Sequence, residues 1–203
     1  MRDSWKAPLL VLAGLSFLAG CTARPDDPLG KAAVRGDLTE VGRLIRAGAS
    51  LRARNGALVW AARFGQPDAV SLLVKNGADP NVISGVNGWP ALMHAIHKDQ
   101  PASVRALLEH GADANARGDN GETPMMMAAG YGYTEIVRIL LEHGADAHAT
   151  LSNGENALDF ALSGVMDIGR FTFGHCQRDT VRLLRESVPD LRPKDEAKLR
   201  SCS

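Results

Sequence analysis

Apolar residues return along this chain in short runs at helical spacing, and each run stops at a glycine followed by alanine: Gly48, Gly77, Gly111 and Gly144. Around the last three the text nearly repeats, as Lys75-Asn76-Gly77-Ala78-Asp79, Glu109-His110-Gly111-Ala112-Asp113 and Glu142-His143-Gly144-Ala145-Asp146. Those three glycines lie 34 and 33 residues apart. A fixed period of that size marks a stacked array, because one such unit cannot bury its own apolar face and must press it against the next copy.

The stretch from Asn120 to Ala147 predicts the unit. Thr123 caps a first helix through its hydroxyl, and Pro124 takes the first helical position, where no N–H is needed. Met125, Met126, Met127, Ala128 and Ala129 give that helix a face of core and turn residues, and Gly130-Tyr131-Gly132-Tyr133 breaks it. Thr134 opens a second helix, from Glu135 to His143, with Ile136, Val137, Leu140 and Leu141 at amphipathic spacing. Gly144 ends it in the left-handed conformation. Neither helix is long enough to persist alone in water.

The run Gly121-Glu122-Thr123-Pro124-Met125-Met126-Met127-Ala128-Ala129, followed by Glu135 to Asp146, closely resembles an ankyrin repeat. Met125-Met126 stands where the family pattern has Leu-His, so the His that usually braces the turn is absent. The resemblance implies an all-α fold: an ankyrin-repeat solenoid of about five helix-turn-helix repeats with short β-hairpin connections. In that register the copies occupy 29–53, 54–86, 87–119, 120–152 and 153–188, the first being a cap, with a tail at 189–203.

The register is broken in three places. Gly48 and Gly56 are too close for a full connection, which predicts a stunted first hairpin. The hairpin from Asn81 to Gly88 carries one residue more than its neighbour. In the fifth copy the second helix is delayed by about eleven residues, because Val181-Arg182-Leu183-Leu184 is the counterpart of Val137-Arg138-Ile139-Leu140. The insert, at 164–178, holds Phe171, Phe173, His175 and Cys176, and its two phenylalanines predict a cover over the end of the core.

The amino terminus stands outside the repeats. Arg2 and Lys6 precede an apolar stretch, Leu9 to Ala19, too short to span a membrane, which reads as a secretory signal over 1–20. Leu18-Ala19-Gly20-Cys21 resembles the bacterial lipobox. That resemblance implies cleavage before Cys21, acylation of Cys21 and a membrane anchor. Thr22 in place of Asp at the next position implies the outer membrane, facing the periplasm, and 21–28 reads as a tether. Such a compartment permits disulfides, and Cys176 with Cys202 is the candidate pair.

Charge adds little. The 23 Lys and Arg match 23 Asp and Glu, with the signs interspersed, so the chain lacks the basic stripe of a nucleic-acid binder. The tail from Lys194 to Arg200 reads as a solvated helix or a frayed end. His94 and His97 lie three apart on one helix, but His94 falls where the resemblance puts a core leucine, which predicts a satisfied, partly buried histidine rather than a metal ligand. His110 and His143 suit the negative pole at a helix end. No catalytic, metal or cofactor site is expected. The one enzymatic alternative pairs His175 as base with Cys176 as nucleophile, and adjacent residues rarely present both groups to one substrate.

What remains is a surface. Ankyrin proteins usually bind partners on the concave side, built by the hairpin tips and first helices. By register this side carries Arg63 and Phe64; Trp89, His97 and Lys98; and Arg117, Asp119, Asn120, Glu122 and Tyr131. Phe64, Trp89 and Tyr131 are large aromatics at otherwise polar positions, which suits interface anchors, although Trp89 could instead fold onto its own long hairpin. The expectation is a monomeric, non-enzymatic lipoprotein that binds a periplasmic protein. It would serve as an adaptor or stabiliser of an envelope enzyme, or as an immunity protein neutralising a toxic effector such as a lipase.

Overall fold

The computed structural model describes residues 25–84, 88–164 and 176–202. Among them run eleven helices and one two-stranded ladder: α1 (Pro28–Arg35), α2 (Leu38–Arg46), α3 (Leu51–Arg63), α4 (Pro67–Lys75), β1 (Ile83–Ser84), β2 (Trp89–Pro90), α5 (Ala91–His97), α6 (Pro101–Glu109), α7 (Pro124–Tyr131), α8 (Thr134–Glu142), α9 (Ala157–Ser163), α10 (Arg178–Ser187) and α11 (Glu196–Ser201). The first ten helices form five antiparallel pairs. First helices stack on first helices in the order α1, α3, α5, α7, α9, and second helices stack as α2, α4, α6, α8, α10.

Side-chain size sorts the two layers. The first helices meet through small residues, including Ala32, Ala57, Ala61, Ala95, Ala128 and Ala161, all at 0 % exposure, so their backbones approach closely. The second helices fill the space beside them with branched side chains: Val41, Val70, Leu73, Val104, Leu107, Val137, Leu140 and Leu184, also fully buried. The core is thus a continuous slab that grows by one layer per repeat.

The Gly-Ala-Asp signature now has a cause at each residue. After α4, Gly77 takes φ 84°. Its N–H bonds the carbonyl of Val74, and the Ala78 N–H bonds that of Leu73, closing the last turn in a Schellman motif. Ala112 with Leu107 and Ala145 with Leu140 repeat the same bond at 2.9 Å. The aspartate begins a lateral ladder. Asp113 Oδ1 accepts from Asn115 N at 2.8 Å, and the Asp113 N–H reaches back to Asn81 Oδ1 of the preceding repeat at 2.8 Å. Asn55 holds Asp79 N at 2.9 Å, and Asn115 holds Asp146 N at 2.7 Å, in the same way. Neighbouring tips are therefore kept in register by side-chain bonds as well as by packing.

Connections differ from expectation at the first break. No hairpin forms between Gly48 and Gly56; α3 begins at Leu51 and runs for 13 residues. Ser50 Oγ accepts from Ala53 N at 3.2 Å, and Leu51 to Asn55 contains no proline or glycine to break the chain, so the missing residues are absorbed as extra helix. Among the described residues only the connection at 81–90 builds a ladder, pairing Ile83 with Pro90 and Ser84 with Trp89. The next two close as turns through Gly118 N to Glu122 O at 3.0 Å and Leu151 N to Glu155 O at 2.8 Å.

The carboxyl tail forms the solvated helix expected from its charges, α11, with no buried residue of its own, and the residues flanking it are docked. Asp159, 2 % exposed, accepts from Asn156 N at 3.0 Å in a capping box and from Lys194 N at 2.8 Å. Asn156 Nδ2 donates to the Arg192 carbonyl at 2.6 Å. The returning segment thus supplies polar contacts to the start of α9. Leu191 is buried at 3 % exposure and Cys202 at 5 %. A disulfide joins Cys202 to Cys176, with Cα atoms 5.7 Å apart, inside the usual range for such a bond. His148, where the ladder would have asparagine, faces Asp190 of the same segment at 3.5 Å.

No described helix is long and apolar enough to cross a membrane. The leader and residues 21–24 of the tether, Cys21 among them, together with Phe171, Phe173 and His175 of the insert, lie outside the described residues. Of the tether, Pro25 is already buried, and Asp27 caps α1 by accepting from Gly30 N at 2.7 Å.

Candidate partner-binding face

Stacking converts positions within a repeat into columns across repeats. The middle of the first helix contributes Trp60, His94 and Met127 to one column. Its last residues contribute Phe64, Lys98 and Tyr131 to another. Where these columns cross α5 and α7, the side chains form one connected group. Trp89, on β2, packs edge-on against His94 with ring centres 5.7 Å apart, and against His97 at 5.5 Å. His97 lies 5.8 Å from Tyr131, and its Nδ1 is hydrogen-bonded to the Tyr131 hydroxyl at 2.9 Å. Tyr131 stacks on Tyr133 at 5.3 Å. A second cluster sits one repeat back, with Trp60 and Phe64 6.0 Å apart and the Arg63 guanidinium 5.9 Å from the Trp60 ring centre.

Polar contacts fix the group. The Trp89 indole N–H donates to Glu122 Oε1 at 2.7 Å, linking the third repeat to the fourth. His94 Nε2 donates to the Ser84 carbonyl at 2.9 Å, tying α5 to its hairpin, while His94 Nδ1 is buried with no partner among the described residues. The expected satisfied histidine is therefore satisfied on one side only. Burial holds the His94 pKa below its usual value; the hydrogen bond to Ser84 opposes this, and the positive charges of Arg63 and Lys98 reinforce it. The neutral ring is thus the native form. Above about pH 6.5 both folded and unfolded chains carry it neutral. As the pH falls below that value, the unfolded chain takes a proton that the folded chain resists, and stability drops. Urea unfolding at about pH 7.5 and about pH 5.5 is expected to show a larger loss for the native chain than for His94→Gln. Equal losses would sink this assignment.

Of the residues expected on this face, the structure joins Trp89, His97, Glu122 and Tyr131 into the connected group. Trp89 is half-buried, so it packs on its own hairpin and helix while leaving part of the ring exposed. Lys98 is half-buried beside His94, close enough for its charge to be felt there. Phe64 is 42 % exposed and belongs to the second cluster. Asp119 and Asn120 are exposed at the tips; the Asp119 carboxylate covers the backbone of Gly88, where any Cβ would overlap it. Arg117 is exposed but committed, donating to Gly121 O at 2.8 Å and Thr150 O at 3.3 Å, so it braces two neighbouring turns.

His94 and Tyr133 join the group, and Trp60 the second cluster, without having been expected there. For Tyr133 a signal exists in the text: Gln66, Gln100 and Gln177 hold its place in other repeats. Each of those glutamines lies over a left-handed glycine of the preceding turn, at Gly36, Gly65 and Gly132. Before Tyr133 that turn residue is Asp99, with φ 55°, so tyrosine and aspartate replace glutamine and glycine together.

Among the described residues no three His, Cys, Asp or Glu side chains converge as a metal site requires. Cys176, joined to Cys202, offers no thiol, which removes the nucleophile from the His175–Cys176 alternative.

Paired helices stacked at a fixed repeat, with aromatic and charged tips along one side, define a helical-repeat interaction module. The sequence pattern of the family described as ankyrin repeats matches the chain three times, over residues 29–118, 58–151 and 92–195. The chain belongs to the ankyrin repeat family and is a protein–protein interaction scaffold. It is similar to a putative ankyrin repeat-containing protein of Treponema pallidum, 37 % identical over 73 residues that cover 36 % of this chain and 24 % of that protein. It is 44 % identical over 66 residues to the ankyrin repeat and SAM domain-containing protein 6 of Rattus norvegicus, covering 32 % and 8 %. Over 112 residues it is 35 % identical to the ankyrin repeat protein nuc-2 of Neurospora crassa, covering 53 % and 10 %. The aligned stretch spans no more than 24 % of any of these relatives.

Proposed function

We propose that this chain is a non-enzymatic docking scaffold, held by acyl chains on Cys21 to a bacterial envelope membrane, that captures a periplasmic protein on the face built around Trp89 and Tyr131. The observation that carries the docking reading is the unbroken series of rings from Trp89 through His97 and Tyr131 to Tyr133. Rigid, partly exposed aromatics lose little rotamer freedom on binding and supply large contact area, which is why they dominate interface energetics. Glu122 and the His97–Tyr131 bond pre-orient the rings, so ordering them on association costs little. The anchor reading rests on the leader from Leu9 to Ala19 and on Leu18-Ala19-Gly20-Cys21.

Affinity capture from envelope fractions with the native chain, followed by mass spectrometry, identifies the partner. Trp89→Ala combined with Tyr131→Ala is expected to abolish its recovery, an effect of at least tenfold. Thermal melting of the variant separates lost docking from lost folding. Undiminished recovery with a folded variant would rule out this face.

A further inference from the structure

The end of the stack carries a second feature, remote in sequence from the aromatic face. A groove of about 760 Å³ runs between α10 and the returning segment that leads into α11. Arg178, Arg182 and Arg185 line one wall at i, i+4 and i+7, and Arg192 lines the other. In interior repeats the position of Arg185 is held by Leu141, Leu108 and Val74, which face the next second helix. Among the described residues no further helix pair stacks on α10, and this wall is exposed. Openness alone asks only for polar residues, yet three in a row are arginine. Arg182 is paired with Asp179, and Arg192 Nη1 donates to the Pro189 carbonyl at 2.7 Å. Arg178 and Arg185 form no hydrogen bond or ion pair among the described residues and are exposed. Glu186 and Glu196 also border the groove and leave it with a net positive lining.

Beneath the guanidinium groups the groove is apolar, with Leu158 and Val181 at its floor and half-exposed Leu199 beside them. That combination fits a polypeptide better than a phosphate polymer or a membrane surface, which present no side chain to a floor. Seven residues of helix set Arg178 and Arg185 about 10 Å apart along α10. A polyproline-II chain rises about 3.1 Å per residue and brings every third side chain back to one face, so carboxylates three residues apart lie about 9 Å apart on the same side and match that span. We propose that this groove binds an extended acidic protein segment, with two carboxylates at i and i+3 paired to Arg178 and Arg185 and an intervening apolar side chain resting on Val181 and Leu199. Guanidinium–carboxylate pairs suit this role through bidentate geometry.

Fluorescence anisotropy with the full chain, its Cys176–Cys202 bond intact, tests the proposal. The probe is a labelled peptide of sequence Gly-Glu-Leu-Leu-Glu-Gly, and the control has both glutamates replaced by glutamine. Saturable binding of the acidic peptide is expected, with about tenfold weaker binding for the control and for Arg178→Gln/Arg185→Gln. Both arginines are exposed, so the variant should keep its melting temperature. Equal binding of the two peptides, or a folded double variant that binds undiminished, overturns the proposal. So does displacement of the peptide by millimolar inorganic phosphate, or preferential binding to vesicles of anionic lipid over the peptide.

Discussion

Leu107→Ala is expected to lower the unfolding free energy by about 3–4 kcal/mol, well beyond the cost of the same change at Leu29. Leu107 is fully buried in α6, the middle of the second-helix layer, between α4 and α8. Its carbonyl accepts the Ala112 N–H at 2.9 Å, so it also sits where the helix end is closed. Truncation leaves a cavity walled by three repeats that cannot collapse without shifting the stack on both sides. Leu29 is nearly as buried, at 3 % exposure, but belongs to the first repeat, which among the described residues has a neighbouring repeat on one side only. In a quasi-one-dimensional array, loss at an end frays that end, while loss in the middle cuts the array. Urea unfolding checks the magnitudes, and hydrogen exchange of α1 and α7 checks the location. Equal losses spread evenly over both helices would refute this picture.

Cys202→Ser is expected to cost about 3 kcal/mol, the chain-entropy value for a loop of this size, and to do so locally. The disulfide spans 26 residues and joins the end of the insert to the last helical turn. With it cut, α11 is held by Leu199, by Lys198 Nζ to Ser163 Oγ at 3.0 Å and by the clamp at Asn156 and Asp159. Those contacts order the segment only while its end is tethered, so exchange protection should fall in α10 and α11 and persist in α7. Reduction of the native chain should reproduce the variant's urea midpoint. An unchanged midpoint in both would show that the bond adds nothing to the cap. Because the same segment walls the arginine groove, the variant also tests how far that groove depends on a fixed end.

The repeat and its helices were legible because they rest on local rules. Thr123 caps, Pro124 starts, Gly111 and Gly144 stop, and the spacing of Val137 and Leu140 aims one side inward. The first connection departs from those rules for a related reason. Its shortness was visible, but whether Leu51 to Asn55 turned or coiled depended on the Ser50 cap and on packing against α1. The aromatic face was half legible. Register placed Trp89 and Tyr131 on one side of the stack. The bond from Trp89 to Glu122, and the entry of Tyr133 through the exchange at Asp99, needed residues about one repeat apart to be brought within a few ångströms.

The carboxyl end shows the limit most clearly. Lys194 to Arg200 reads as a solvated helix because its local charge is high, and α11 is one, but that charge says nothing of the segment's docking through its flanks at Leu191 and Cys202. Its docking comes from Asp159, which lies 35 residues before Lys194, and from Cys176. By itself the sequence determined the period, the family, the helix pairs and the side on which the large rings stand, since each follows from spacing within one repeat and from the stacking that spacing demands. Only the tertiary structure decided which rings touch, that His94 and His110 each keep a buried nitrogen without a partner among the described residues, and how the carboxyl end of the described stack is docked. Those outcomes depend on contacts between distant residues, whose energies no local pattern encodes.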